Sequence, residues 1–350
     1  MTTLDEQALP ASEGIVAGTP LIELEELVVE YALPGRRVRA VDGVSLTVHA
    51  GEIVGLAGES GCGKSTAAHA ILRILRPPAE IASGRILFRG EDAVGMSEQE
   101  LRRFRWRHVS LVFQSAMDAL NPVLRVGDQF VDMLRAHEKI EKSDALARTG
   151  DLLELVGIDR ARVRSYPHEL SGGMRQRVVI AMALALRPEL IIMDEPTTAL
   201  DVVVQREILE EIEQLKRELG FAVLFITHDL SLLVEFSDRI AIMYAGEIVE
   251  EAPAATLFRS PRHPYTVGLM NSFPPLLGEL TRMTGIPGSP PDLSDPPRGC
   301  RFHPRCPHCT SPSMGADPKL HELQTAVRPV LKAIDDRHAV ACHLVERGIL

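Results

Sequence analysis

Eight consecutive residues, Gly58-Glu59-Ser60-Gly61-Cys62-Gly63-Lys64-Ser65, carry the clearest chemistry in this sequence. They follow a short apolar run, Ile53 to Ala57, and precede a segment with helix-compatible alanine and leucine spacing. The pattern G-x-x-x-x-G-K-[ST] therefore lies between a strand and a helix, where it can work. Its glycines let the backbone curl until successive N–H groups face a polyphosphate, and the helix N-terminus adds partial positive charge. Lys64 is placed to reach the terminal phosphates, and Ser65, followed by Thr66, offers a hydroxyl to Mg²⁺. The loop predicts a nucleoside triphosphate site. Such a loop needs a carboxylate on a neighbouring strand to hold the magnesium, and Leu190-Ile191-Ile192-Met193-Asp194-Glu195 ends an apolar run with two. Asp194 is the metal-side candidate. Side chains alternate along an extended chain, so Glu195 points differently and becomes the candidate general base for a water in line with the γ-phosphate. Cys62, near Lys64 and a helix N-terminus, has two neighbours that favour a thiolate, which predicts alkylation that bound nucleotide prevents. The other reading of Cys62 is a small buried filler.

The elements that must position these residues are visible as patterns. Leu21 to Tyr31 and Val38 to Val48, joined by the turn-like ALPGRR, suggest a small antiparallel meander. The apolar runs at Ile53, Leu190 to Met193 and Ala222 to Thr227, alternating with helical segments such as Val203 to Leu219, specify a parallel α/β sheet. Between them, from about 97 to 175, charged amphipathic patterns around Glu98 to Phe104, Val126 to Glu138 and Ser143 to Val156 fit a helical insertion. Residues 1–20 show no period and are expected to form a mobile tail. Prolines become dense after Pro261, marking a connector over 258–299, and a small cysteine-containing domain is expected over 300–350. No internal repeat is present, so the chain holds one such unit.

The chain has 350 residues, enough for two to three domains by the usual size prior. Lys plus Arg total 38 against 48 Asp plus Glu, a formal charge of −10, so general attraction to nucleic-acid phosphates is not expected. No apolar stretch approaches the roughly 20 residues that span a bilayer. The N-terminus lacks a basic start followed by an apolar core, which predicts a cytosolic location. In that compartment the five cysteines, four of them from Cys300 onward, suit metal ligands or free thiols better than disulfides.

With these motifs in place, the sequence resembles the ATP-binding subunits of ABC transporters, because Leu170-Ser171-Gly172-Gly173-Met174-Arg175-Gln176 looks like that family's signature segment. Physically, Ser171 with Gly172 and Gly173 opening a helix offers a hydroxyl and N–H groups to an anion, a second phosphate-binding surface. The resemblance covers about 21–257 and implies a P-loop, RecA-like α/β core with an antiparallel β subdomain and a helical subdomain. It also implies further roles. Tyr31 is similar to the aromatic that stacks on adenine, and Gln114 to the glutamine that touches magnesium and the attacking water. Leu200 and Asp201 resemble the loop that communicates across a dimer, and His228 the histidine that contacts the γ-phosphate. By the same likeness, two subunits pair head to tail, each ATP lying between the Lys64 loop of one and the Ser171 segment of the other.

His263-Pro264-Tyr265-Thr266, and Gly299-Cys300 through Pro304-Arg305-Cys306-Pro307, look like the tail of dipeptide, oligopeptide and nickel importer ATPases. This implies a subunit at the cytoplasmic face of the membrane that energises import of short peptides. Its partners would be two permease subunits, a second ATPase copy or paralogue, and an extracytoplasmic binding protein. Nickel or another small solute is the alternative cargo, and a soluble ABC-type ATPase acting on ribosomes or DNA the alternative class. The latter predicts tandem cassettes or a long coiled-coil insertion, neither of which is present, and only the Arg102, Arg103, Arg105, Arg107, His108 cluster favours it. Cys300, Cys306, Cys309 and Cys342 supply four soft ligands. The resemblance implies a [4Fe–4S] cluster, although the family's third cysteine falls further along, near Ser313. The C-x2-C spacing of Cys306 and Cys309 also suits Zn²⁺, and a structural role is expected, because a small Pro-rich tail needs a staple. A redox sensor acting on the ATPase is a third possibility for this segment.

Overall fold

The computed structural model describes residues 18–114, 119–198, 200–272, 285–310 and 318–350. Of the tail expected over 1–20, residues 1–17 lie outside the described residues, as does Ser313. Pro20 already opens the first strand, β1 (Pro20–Leu33), and β2 (Arg36–His49) follows. In β2 the period-2 pattern is direct: Val44, Leu46 and Val48 are buried and the residues between them are not. β3 (Ile53–Ala57) is buried at every position. The glycine loop leads from it to α1 (Lys64–Ile71). β4 (Ala79–Phe88) and β5 (Glu91–Asp92) then complete a four-stranded sheet ordered β2-β1-β4-β5, with β1 and β4 antiparallel. The expected two-stranded meander is thus a larger sheet. β4 escapes sequence reading because its middle, Ser83-Gly84-Arg85, is exposed throughout and breaks the alternation.

α2 (Glu98–Arg107) opens on a capping box in which the Glu100 N–H reaches Ser97 Oγ and the Ser97 N–H reaches the Glu100 carboxylate at 2.7 Å. Its helical geometry breaks at Arg105 and Trp106. The chain continues through β6 (Val109–Val112), α3 (Val126–His137), α4 (Lys142–Leu155), α5 (Gly172–Leu184), β7 (Leu190–Asp194), α6 (Val202–Leu219) and β8 (Ala222–Thr227). The helices of this stretch lie where apolar periodicity placed them, and β7 and β8 are fully buried, as continuous apolar runs require. After α7 (Leu230–Phe236) come β9 (Arg239–Tyr244), β10 (Glu247–Pro253), α8 (Ala254–Arg259) and α9 (Pro264–Met270). The expected connector therefore holds a helix: Pro264 starts α9, where a missing N–H costs nothing. A 3-10 turn at His303–Arg305 precedes α10 (Pro307–Thr310), α11 (Pro318–Ala326), β11 (Lys332–Asp335), β12 (His338–Val340) and α12 (His343–Glu346).

Two compact units emerge. One comprises Gly95–Leu224 with Val48–Glu52 and the residues up to Leu21. The other comprises Ile22–Thr47, Ile53–Val94 and Phe225–Leu350, and the division falls inside β8. In the first, β6 and β7 pair in parallel with Val112 opposite Met193. In the second, the order runs β11-β12-β10-β9-β3; β3 and β9 are parallel, whereas β9–β10, β10–β12 and β11–β12 are antiparallel. The sheet expected to be parallel is mixed. The cause is a tight turn between β9 and β10, where Ala245 (φ 47°) and Gly246 (φ 89°) both take positive φ as two-residue hairpins need.

Candidate functional site

The phosphate loop is held in a conformation that only glycine permits at two points. Gly58 has φ 154°, and a Cβ there would meet the Met243 carbonyl oxygen at 2.1 Å; Gly63 has φ 112°, and a Cβ would meet the Ala40 carbonyl oxygen at 2.1 Å. Gly63 is also the N-cap of α1, with no side-chain cap, so the first N–H groups of the helix lie outside its own ladder. Lys64 is buried and folds back, donating to the Gly58 carbonyl at 2.7 Å and the Glu59 carbonyl at 3.1 Å. A cationic tether of this kind shapes the loop around an anion's place. Ser65 and Thr66 are half-buried beside it, and the Tyr31 hydroxyl lies 3.4 Å from Thr66 Oγ1. Cys62 corrects the thiolate expectation. It is 5% exposed, and burial pushes its thiol up, outweighing the nearby Lys64.

Gln114 and Glu195 meet for a reason set by strand register. β6 and β7 run parallel with Val112 opposite Met193, so the residues two further on come side by side. Gln114 Nε2 donates to Glu195 Oε2 at 3.0 Å, and Thr198 Oγ1 donates to the same oxygen at 3.1 Å. Glu195 has φ 46°, a left-handed backbone that non-glycine residues adopt at a cost of order 1 kcal/mol, held here at the strand's end. Asp194 is 3% exposed at the last position of β7. The donors proposed for Mg²⁺, the Ser65 hydroxyl, the Asp194 carboxylate and the amide oxygen of Gln114, are the hard oxygens that this ion takes.

Ser171 and Asp201 both cap helices. Ser171 Oγ accepts from the Met174 N–H at 3.3 Å, and Asp201 accepts from the Val204 N–H at 3.0 Å. The two helix starts approach closely, since a Cβ on Gly173 would meet Val204 Cγ1 at 2.9 Å. Ser171 and Asp201 are exposed, Gly172, Gly173 and Leu200 half-exposed, and Val202 beside them is 77% exposed. This surface is open to a partner. His228 is exposed just past β8.

Residues from the C-terminal region surround the phosphate loop, and sequence reading assigned them no part in it. The Tyr265 hydroxyl accepts the Glu59 N–H at 2.9 Å, and Arg305 pairs with the Glu59 carboxylate. Deeper in the same unit, Arg301 bonds Asp42 and Glu247, and Arg328 joins both acids. Burial raises the Glu247 carboxyl to about 7 against the pull of the two arginines. Arg305 lay within a segment already singled out, but its partner is 246 residues away, so no local signal could reveal the pair.

All four C-terminal cysteines are free thiols. Cys309 Sγ donates to Gln324 Oε1 at 2.8 Å, and the Cys300 N–H bonds the Gln324 carbonyl. Burial drives Cys300 up to about 12 and Cys342 up to about 11, with neighbouring thiols adding to both. The side-chain interaction between Cys306 and Cys309 lowers the first and raises the second. The thiols are near enough to affect one another. Among the described residues, however, no group of three or more His, Cys, Asp or Glu is arranged to hold a metal ion, so the expected cluster or zinc does not fit this arrangement of side chains.

Comparison with known proteins gives a consistent result. The family model described as ABC transporter matches residues 41–198, and that described as oligopeptide/dipeptide transporter, C-terminal region, matches residues 249–312. The oligopeptide transport ATP-binding protein OppD of Bacillus subtilis strain 168 is 47% identical over 289 residues, 81% of this chain and 80% of the relative. The dipeptide transport ATP-binding protein DppD of Caldanaerobacter subterraneus is 38% identical over 330 residues, 94% of this chain and 98% of the relative. Among solved structures, the dimeric bacterial ABC transporter cassette MJ0796 superposes with a TM-score of 0.60 at 27% identity, covering 67% of this chain and 99% of that one.

Proposed function

This chain belongs to the ABC transporter ATP-binding proteins of the oligopeptide and dipeptide family, and from that premise we infer that it hydrolyses ATP to drive import of short peptides. The observation that carries the reading is the phosphate loop, with Lys64 tethered to the Gly58 and Glu59 carbonyls and with glycine demanded at 58 and 63. The loop N–H groups and Lys64 bind the polyphosphate. Glu195, anchored by Gln114 and Thr198, takes the proton of the attacking water as its oxygen bonds the γ-phosphorus. The bond from that phosphorus to the β–γ bridging oxygen breaks, giving ADP and phosphate. Mg²⁺ would be held by Ser65, Asp194 and Gln114, and would supply positive charge against the charge developing on the phosphates. His228 contacts the γ-phosphate, and Tyr31 stacks on the adenine.

Ser171 and Asp201 act on the nucleotide bound by a second ATPase subunit, self or paralogue. Loss of the γ-phosphate lets the pair part, and two permease subunits turn that motion into transport. Among the described residues no helix is long and apolar enough to cross a membrane, in keeping with a peripheral subunit on the cytoplasmic face that relies on those permeases. An extracytoplasmic binding protein delivers the peptide. The cysteine segment is read as a structural part of the C-terminal region; the [4Fe–4S] cluster or Zn²⁺ expected from sequence does not fit its described side chains, and no step runs through either. Visible absorbance and metal analysis of anaerobically purified protein decide its content.

The test of the main reading is phosphate release by the complex with its permeases in lipid. The native complex should turn over and take up peptide, while Glu195→Gln should bind ATP yet lose hydrolysis by about 100-fold or more. Rapid turnover in that variant would remove Glu195 as the base.

A further inference from the structure

Glu59 is the one acidic residue of the phosphate loop, and it is gripped from the C-terminal region at both ends. Arg305, which closes the turn His303–Arg305, places a guanidinium fork on the carboxylate: Nη1 donates to Oε2 at 2.6 Å and Nη2 to Oε1 at 3.0 Å. The same guanidinium is fixed from behind, since Nε donates to the Pro287 carbonyl at 2.8 Å and its carbon lies 5.8 Å from the centre of the Tyr244 ring. The Arg305 side chain is 6% exposed and that of Glu59 26%. At the backbone, the Glu59 N–H donates to the Tyr265 hydroxyl at 2.9 Å. Tyr265 is fully buried, packed on Tyr244 and Phe302 with ring centres 4.5 Å and 5.4 Å away.

This grip has an electrostatic consequence. A triphosphate brings several negative charges to a loop whose affinity comes from N–H groups and one lysine. A bare carboxylate on that loop repels them, and does so more strongly in a partly buried site than in water. A two-point arginine fork cancels that charge and also sets its direction, because the planar donors match both carboxylate oxygens. Lysine at the same place would supply charge without orientation.

We propose that Arg305 is a positioning residue for nucleotide binding: acting through Glu59, it keeps the phosphate loop neutralised and shaped for a polyphosphate, so that ATP affinity depends on the seating of the C-terminal segment. The proposal rests on the ATP-site reading above and deepens it. Arg305 does not touch the nucleotide; its effect passes through Glu59.

The experiment is titration of the full chain with a fluorescent ATP analogue and Mg²⁺, for the native protein, Arg305→Ala, Arg305→Lys, Glu59→Gln and the doubles. Arg305→Ala should weaken binding about tenfold or more, the range of a hydrogen-bonded charge pair, and Arg305→Lys by less. The deciding quantity is the coupling. In the Glu59→Gln background the Arg305→Ala loss should shrink to about twofold or less, because the charge that needed holding is gone. An equal loss in both backgrounds would make Arg305 a support of the fold alone, and no loss in the native background would also overturn the proposal. Should Arg305→Ala not fold, the same comparison with Arg305→Lys decides. Lys64→Ala separates the two readings: if it binds the analogue as well as native protein does, the ATP site itself is misplaced. If it fails to bind while Arg305 shows no coupling, only the present proposal falls.

Discussion

At the scale of single residues, neighbours in the chain and neighbours in space pull Cys62 in opposite directions. Lys64 two positions on and the helix start favour a thiolate, but the side chain is buried and desolvation outweighs both. Alkylation of Cys62 at neutral pH should therefore run at least about tenfold slower than for a free thiol, whose pKa is near 8.5. Timed labelling with iodoacetamide, read on the peptide that carries Cys62, measures this; labelling at the free-thiol rate would restore the reactive reading. Glu195 is the contrasting case. Its place at the end of an apolar run was legible in the sequence. Its left-handed backbone and its bond to Gln114 were not, because both depend on how β6 and β7 align.

At the scale of elements, α9 shows how a short helix is tied to the sheet. His263 Nδ1 accepts the Tyr265 N–H at 3.0 Å, which requires an unprotonated nitrogen, and the His263 N–H itself donates to buried Glu250 at 2.9 Å. Glu250 also meets His338 of β12 at 2.7 Å. Burial lowers His263 from its usual 6.5 to about 4. A histidine with a lowered folded pKa contributes stability above its unfolded pKa, and that contribution is lost as pH falls from about 6.5 toward 4, because the unfolded chain takes up the proton first. The loss is about 3 kcal/mol over that window. Urea unfolding at pH 7 and pH 4.5 should show a steeper acid loss for the native chain than for His263→Asn; equal slopes would remove His263 as the cause. The hairpin of β9 and β10 belongs to this scale too. Its turn uses Ala245-Gly246 in place of the Asn-Gly pair that sequence reading looks for, so the antiparallel edge went unseen.

At the scale of the whole molecule, the exposed surface around Ser171, Asp201 and the 77%-exposed Val202 lies on one unit, whereas the phosphate loop lies on the other. On the proposed function, both take part in association with a second subunit. The Glu195→Gln chain should double in mass on size exclusion when ATP and Mg²⁺ are added and return to a monomer with ADP, whereas Lys64→Ala should stay monomeric with either. A monomer under every condition would remove pairing of the chain with itself and leave a paralogue as the partner.

Chemistry carried by consecutive residues was open to reading from sequence: the glycine loop with Lys64 and Ser65, the carboxylates at the end of β7, the serine and glycines opening α5, and the helices whose apolar spacing repeats. These motifs depend on backbone geometry within a few residues, which local side chains dictate. Only the tertiary structure decided the mixed sheet, the depth at which Cys62 lies, the meeting of Gln114 with Glu195, and the fork that Arg305 places on Glu59 from 246 residues away. Burial and ion pairing are properties of surfaces brought together by folding, and no run of neighbouring residues encodes which distant surface will arrive.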